Sequence, residues 1–158
     1  MTINDSAPPV SLALTEMGIP HQVFVHAGPL RSLEQAARER NQQPEQVIRS
    51  LVFRLAEGEY VLVLVGGPAQ VNWKALRKYL GQSRLTTASE EEVLAVTGCA
   101  RGAVAPFGLL QPLRILVDES VFARPELSLG SGVRGTAIIL SRANLKSTLG
   151  QVEVGRFT

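Results

Sequence analysis

Arg101-Gly102-Ala103-Val104-Ala105-Pro106-Phe107-Gly108 is the stretch of this chain whose residue types are best suited to chemistry, and the chemistry would be that of its main chain. Gly102, Ala103 and Ala105 leave the backbone uncovered, and Pro106 holds it on an extended path. Such a segment can bring N–H groups against a small ligand with no large side chain in the way. A second bare stretch, Gly130-Ser131-Gly132, follows. The competing reading is two tight turns that bind nothing.

Side chains with ready chemistry are sparse. Cys99 is the single cysteine, so neither an internal disulfide nor a cysteine metal cluster is possible. The two histidines, His21 and His26, lie far upstream of it, and Cys99 reads as a small buried hydrophobe rather than a nucleophile. Ser131 stands between two glycines, yet the five-residue pattern of a nucleophile elbow is not met. Glu90-Glu91-Glu92 opens a helix, where the dipole favours negative charge. No P-loop, dinucleotide-binding glycine pattern or zinc spacing occurs. Any catalysis must therefore draw on backbone donors, bound water and the substrate's own groups.

Composition narrows the classes. At 158 residues, 45% hydrophobic and 19% charged, the chain has the balance of an ordinary globular domain, and one domain over 1–158 is expected. The apolar run Tyr60 to Val65 is far shorter than the ~20 residues of a membrane span. The first residues lack the basic start and apolar stretch of a signal peptide, so a cytoplasmic protein without a membrane partner is expected. A net charge of +2 argues against a dedicated DNA binder. Helical spacing places Lys74, Arg77 and Lys78 on one exposed side, either a solvated face or a contact for an RNA backbone.

The elements that must position these residues follow from caps and periodicity. Pro8-Pro9 opens a helix ended by Gly18, with Val10, Leu12, Leu14 and Met17 as its apolar positions. His21 to His26 reads as a strand. Ser32 with Gln35 has the capping-box pattern for a helix to about Arg40, and a single turn follows at Pro44 to Val47. Ser50 to Leu55 and Tyr60 to Val65 are strands joined by a hairpin loop at Glu57 to Glu59. The second strand is apolar throughout, so both its faces should be covered. Helices follow from Asn72 to Leu80, stopped by Gly81, and from the Ser89–Glu92 capping box to Thr97, stopped by Gly98. Arg114 to Val117 and Ala137 to Leu140 are strands, and Ser141 caps a last helix to Leu149. Mixed order without βαβ alternation predicts an α+β fold.

With these motifs in hand, the chain resembles the YbaK-like aminoacyl-tRNA editing domains, related to the editing insertion of bacterial prolyl-tRNA synthetases. The resemblance runs over roughly His21 to Leu149. It rests on Val47-Ile48-Arg49-Ser50-Leu51-Val52-Phe53, the strand at Tyr60 to Val65, Val71-Asn72-Trp73-Lys74-Ala75-Leu76, Thr97-Gly98 leading into Gly102 to Gly108, Gly130-Ser131-Gly132 and Ile138-Ile139-Leu140. It implies a compact fold around a curved, barrel-like mixed sheet flanked by helices. It also implies hydrolysis of the ester joining a wrong amino acid to the 3′-terminal adenosine of a tRNA, as alanyl- or cysteinyl-tRNA for proline, with no metal or cofactor. A synthetase is a further partner it suggests.

The resemblance also assigns roles. The Gly102-x-x-x-Pro106 segment would orient the aminoacyl ester through its amides, with Gly102 and Ala103 as donors and Val104 and Pro106 beside the substrate. The terminal ribose hydroxyl and a water would take part directly. Arg49 stands where the family usually has lysine; it keeps the charge and adds a planar fork of donors, but cannot serve as a general base. It would hold the acceptor end, unless the chain is a silent module that binds aminoacyl-tRNA or a synthetase. His26 would line the pocket or simply end a strand, and Ser50 would bind the amino acid or simply start one. Ser131 and Gly132 would close the pocket wall. Trp73 reads as packing rather than a base-stacking platform. Gly130 replaces a serine found in some relatives.

Overall fold

Seven consecutive residues, Tyr60–Gly66, organise the molecule, because a strand apolar at every position must be covered on both faces. A computed structural model describes residues 7–158. In chain order the elements are α1 (Pro9–Glu16), β1 (Gln22–Val25), α2 (Leu33–Glu39), β2 (Ile48–Arg54), β3 (Tyr60–Gly66), α3 (Trp73–Leu80), β4 (Thr86–Thr87), α4 (Glu90–Thr97), β5 (Arg114–Asp118), β6 (Glu126–Gly130), β7 (Thr136–Ser141), α5 (Arg142–Leu149) and β8 (Glu153–Gly155). Short 3-10 turns occupy Pro44–Gln46, Ala56–Gly58 and Glu119–Phe122. The α+β class holds.

The strands form two mixed-order sheets, β1-β7-β6 and β4-β2-β3-β5-β8. β3 pairs antiparallel with β2 and parallel with β5. The sheets touch through one parallel bridge, Val47 to Ser128. Neither sheet closes on itself, which corrects the barrel-like expectation: β1 and β6 share no ladder, nor do β4 and β8.

Burial on the two faces of β3 follows the two-residue period of a strand. Leu62 and Leu64 join Val10, Leu14, Ile48, Val52, Leu129 and Ile138 in the core between the sheets. Val61, Val63 and Val65 pack with Leu76, Leu80, Leu116 and Phe157 beneath α3. Both faces are covered, as the sequence predicts.

The caps read from sequence are present. Asn72 accepts the Ala75 N–H (3.0 Å) and Ser141 that of Asn144 (3.0 Å). Ser89 and Glu92 bond reciprocally (3.2 and 2.9 Å). The predicted box at Ser32 is half formed: Ser32 accepts the Gln35 N–H (3.0 Å), but Gln35 turns to the Arg31 N–H (2.8 Å) and Glu39 (2.9 Å). In α1 only Val10 and Leu14 reach the core as expected; Leu12 and Met17 are exposed, being on the outer side of a two-turn helix. β2 begins at Ile48, two residues before the expected start, because the pairing with β3 continues to Gly66.

Candidate functional site

β2 is paired along its whole length with β3 but with β4 only at Phe53 and Arg54. Its other edge is therefore open over the preceding residues. The strand period fixes which groups face that edge. Val47 gives its carbonyl to the Gly67 N–H on the β3 side (2.9 Å), whereas the Val52 carbonyl turns outward to the Ala88 N–H (3.0 Å). Alternation then directs the main-chain N–H and C=O of Ser50 outward as well. They open into a cleft of about 600 Å³ whose walls come from α2, β2, the residues before α3, Gly102 and Val104, and Gly130.

Two sets of residues in the cleft wall carry unsatisfied groups. Ser50 Oγ is inaccessible to solvent and has no hydrogen-bond partner, the one such buried side-chain atom among the described residues. Buried hydroxyls are normally bonded, so this one carries unused hydrogen-bonding capacity within the cleft wall. Across from it, the N–H groups of Gly102 and Val104 take part in no backbone hydrogen bond among the described residues. Gly102 has φ +92°, and nothing stands within 4 Å of where its side chain would be. The donor expected at Ala103 is not available, because its N–H closes a turn onto the Ala100 carbonyl (2.9 Å).

The rest of the glycine–proline segment is packed rather than bare. Ala103, Val104, Ala105, Pro106 and Phe107 are all buried. Pro106 does not line the cleft, so its expected place beside the substrate gives way to a structural one. Gly130 explains how the segment is held. A methyl there would lie 2.5 Å from the carbonyl oxygens of both Ala103 and Val104, so only glycine lets the two backbones meet.

Ser131 and Gly132 also sit behind the cleft rather than in its wall. Ser131 is fully buried, and its hydroxyl bonds to Thr136 and Val133. The Gly132 N–H donates to the Ala103 carbonyl (2.8 Å), and its Cα faces the Pro9 ring. Their expected role of lining becomes one of fixing the segment from behind.

Arg49 lines the cleft, but its guanidinium is engaged. Nε donates to the Gly67 carbonyl (2.8 Å), and Nη2 to the Ala69 carbonyl. Desolvation by burial lowers its pKa. It ties β2 to the turn that carries Gln70 and Val71 into the cleft wall. Trp73 lies edge-on against Phe53 (5.2 Å between centroids) yet is 37% exposed, so it both packs and edges the cleft. Lys74 and Lys78 are exposed and Arg77 is half-buried.

His26 is buried and stands one layer behind the cleft, where Nδ1 meets Glu39 Oε1 (2.7 Å) and Nε2 accepts from Arg40 Nε (3.0 Å). The cleft residue is Arg40, which sequence reasoning missed. A signal existed: Leu33, Ala36, Ala37 and Arg40 recur at helical spacing, so the arginine falls on an apolar face. Cys99 is buried, and desolvation pushes its thiol pKa up, in keeping with an inert thiol. Among the described residues no cluster of His, Cys, Asp or Glu could hold a metal, and no helix is long and apolar enough to cross a membrane. Among the described residues no acid, histidine, lysine or cysteine lines the cleft. What it offers is backbone, hydroxyl and guanidinium donors among mostly apolar side chains.

The chain is similar to known proteins across this architecture. A proline–tRNA ligase of Brachyspira hyodysenteriae is 28% identical over 114 residues, 72% of this chain and 20% of the ligase. One of Streptococcus pneumoniae (strain Hungary19A-6) is 36% identical over 92 residues, 58% of this chain and 15% of the ligase. The chain thus spans about a fifth or less of the length of these relatives. A crystal structure described as that of a candidate trans-editing enzyme for prolyl tRNA synthetase superposes with a TM-score of 0.86 at 27% identity, over 95% of this chain and 94% of that one. A protein described only as hypothetical shares the fold, with a TM-score of 0.82 at 20% identity over 92% and 97% of the two chains. The pattern of one family matches residues 27–148, most of the chain and every element that walls the cleft, and on that match the protein belongs to the aminoacyl-tRNA editing domain family.

Proposed function

We propose that this chain hydrolyses the ester joining a wrongly attached small amino acid to the 3′-terminal adenosine of a tRNA, acting in trans, with alanyl- or cysteinyl-tRNA for proline as the substrates to try first. The observation that carries the reading is the cleft in which the open β2 edge and the partnerless Ser50 hydroxyl share walls with the Gly102 and Val104 amides.

In this reading the ester carbonyl lies against those amides. Water adds to the carbonyl carbon, and the amides stabilise the negative oxygen that forms. The bond to the ribose oxygen then breaks. The proton released by the water ends on that ribose oxygen, relayed through the neighbouring ribose hydroxyl, since the cleft holds no side-chain base. The products are free amino acid and tRNA. Ser50 Oγ orients the aminoacyl unit or the water. Large side chains are turned away because an editing site sorts by what can enter it.

A panel of mischarged tRNAs tests this, with release of amino acid as the readout. No hydrolysis above the buffer rate across the panel, at high protein concentration, rejects it. A second reading, a silent module that binds aminoacyl-tRNA or docks on a synthetase, is favoured by one observation: the Arg49 guanidinium is engaged with the Gly67 and Ala69 carbonyls. Arg49→Lys separates the two. A large gain in turnover marks the natural protein as attenuated, whereas equal tRNA binding without turnover by either form marks a module.

A further inference from the structure

α2 leads into Arg40, a cation of the cleft wall that is anchored twice and open on its remaining side. Its Nε donates to His26 Nε2 (3.0 Å) and its Nη1 to Ser128 Oγ (2.9 Å). Nη2 has no partner among the described residues, and the side chain lines the cleft. Arg49, by contrast, has both Nε and Nη2 on main-chain carbonyls, and Arg101 pairs with Glu90 (3.2 Å).

The anchors have fixed directions. An arginine Nε can only donate, so His26 Nε2 carries the lone pair. The ring proton is then on Nδ1 and is donated to Glu39 Oε1 (2.7 Å). On the other side Ser128 Oγ accepts from Arg40 and donates to Gln42 Oε1 (2.7 Å), whose Nε2 donates to Glu126 Oε1 (3.2 Å). His26 just past β1 and Ser128 of β6 thus hold one guanidinium plane, with Glu39 of α2 behind the imidazole. Among the described residues no carboxylate touches the guanidinium itself: its two partners are an imidazole and a hydroxyl. Glu39 reaches it only at a distance, through His26, and the unbonded Nη2 remains on a side chain that lines the cleft.

Resting on the function proposed above, we infer that Arg40 is the anion-binding residue of the cleft and takes the phosphodiester on the 5′ side of the terminal adenosine. That group is the nearest negative charge to the ester, and a guanidinium fork fits it. The ammonium of the aminoacyl unit is repelled from the same place, which orients the ligand: nucleotide toward α2, amino acid toward Ser50 and Gly102. His26 is a positioning residue that acts through Arg40.

Binding of the unacylated dinucleotide cytidylyl-(3′→5′)-adenosine and of adenosine, measured by titration calorimetry, tests this without any need for turnover. The wild type is expected to prefer the dinucleotide by about tenfold, the worth of one charge-assisted hydrogen bond. Arg40→Gln should abolish the preference while leaving adenosine binding in place. Ser128→Ala, which keeps the charge but removes one anchor, should lose part of it and stands in should Arg40→Gln fail to fold. A preference retained in Arg40→Gln, or in Ser128→Ala at full strength, overturns the assignment, as does a wild type without preference. If no mischarged tRNA is hydrolysed but the preference behaves as expected, the hydrolase reading fails and the anion site stands. Hydrolysis with a preference insensitive to Arg40 gives the reverse.

Discussion

Gly130→Ala is the sharpest probe of how the cleft is built. The added methyl would lie 2.5 Å from the Ala103 and Val104 carbonyl oxygens and 2.6 Å from the Ala103 carbonyl carbon. A relaxed carbon–oxygen contact begins near ~3.3 Å, so β6 and the glycine–proline segment must part by roughly 0.8 Å. Overpacking costs about 1–3 kcal/mol, and the upper half of that range applies because every opposing atom is main chain. For a domain of this size each kcal/mol moves the melting temperature by roughly 2–4 °C, so a fall of about 4–12 °C is expected. The Gly132 N–H bond to the Ala103 carbonyl (2.8 Å) would be strained by the same shift. Gly102 and Val104 would move relative to Ser50, and a displacement near 1 Å can lower turnover about 100-fold. Gly28→Ala is the control, because nothing lies within 4 Å of its Cβ position and its φ is not positive. Thermal unfolding by circular dichroism and deacylation of mischarged tRNA are the assays. A Gly130→Ala protein that melts within about 1 °C of the wild type would refute the reasoning.

Ser50→Ala removes an atom that has no partner, so stability should hold or rise slightly while kcat/KM falls about tenfold; an unchanged kcat/KM would show that the hydroxyl touches no ligand. Glu92 has its carboxyl pKa held down to about 2 by the Ser89 N–H, the Tyr60 hydroxyl and Arg54. A lowered carboxylate pKa stabilises the fold above the ordinary value and loses that contribution as pH falls toward 2. Glu92→Gln should therefore be less stable than wild type at pH 7, with the gap closing on acidification to about pH 2; urea titrations at several pH values read it. Cys99 should react with a thiol reagent only after denaturant is added, since it is 4% exposed; fast labelling of native protein would contradict its burial.

Much of the frame was written in local signals that need no partner to be read. Asn72, Ser89 and Ser141 each announce a helix by supplying an acceptor to an amide three residues on, and Gly81 and Gly98 end two of them in the left-handed region. The all-apolar β3 likewise announces two covered faces. β6 is faint in the sequence: Glu126-Leu127-Ser128-Leu129 alternates, but five residues ending in glycine give a weak period. β4 and β8, of two and three residues, exist through their neighbours rather than their own pattern.

The site divides in the same way. Gly102 stood out by its missing bulk, whereas Val104 and Ser50 entered only through the resemblance. Arg40 did neither, because its meaning depends on His26 and Ser128, 14 and 88 positions away. The fates of Ala103, Pro106, Ser131 and Gly132 were equally hidden: a sequence shows that a backbone is uncovered, not whether a carbonyl or a proline ring elsewhere has already claimed it.

The unpaired flank of β2 is the kind of surface to which another chain adds as an extra strand. Here the free stretch is bounded by the Val47–Ser128 bridge at one end and by β4 at the other. A guest that docks by main-chain pairing has room to engage about one residue before meeting a wall. The same geometry that protects the fold from accretion thus leaves too short a free edge for a further strand to build on.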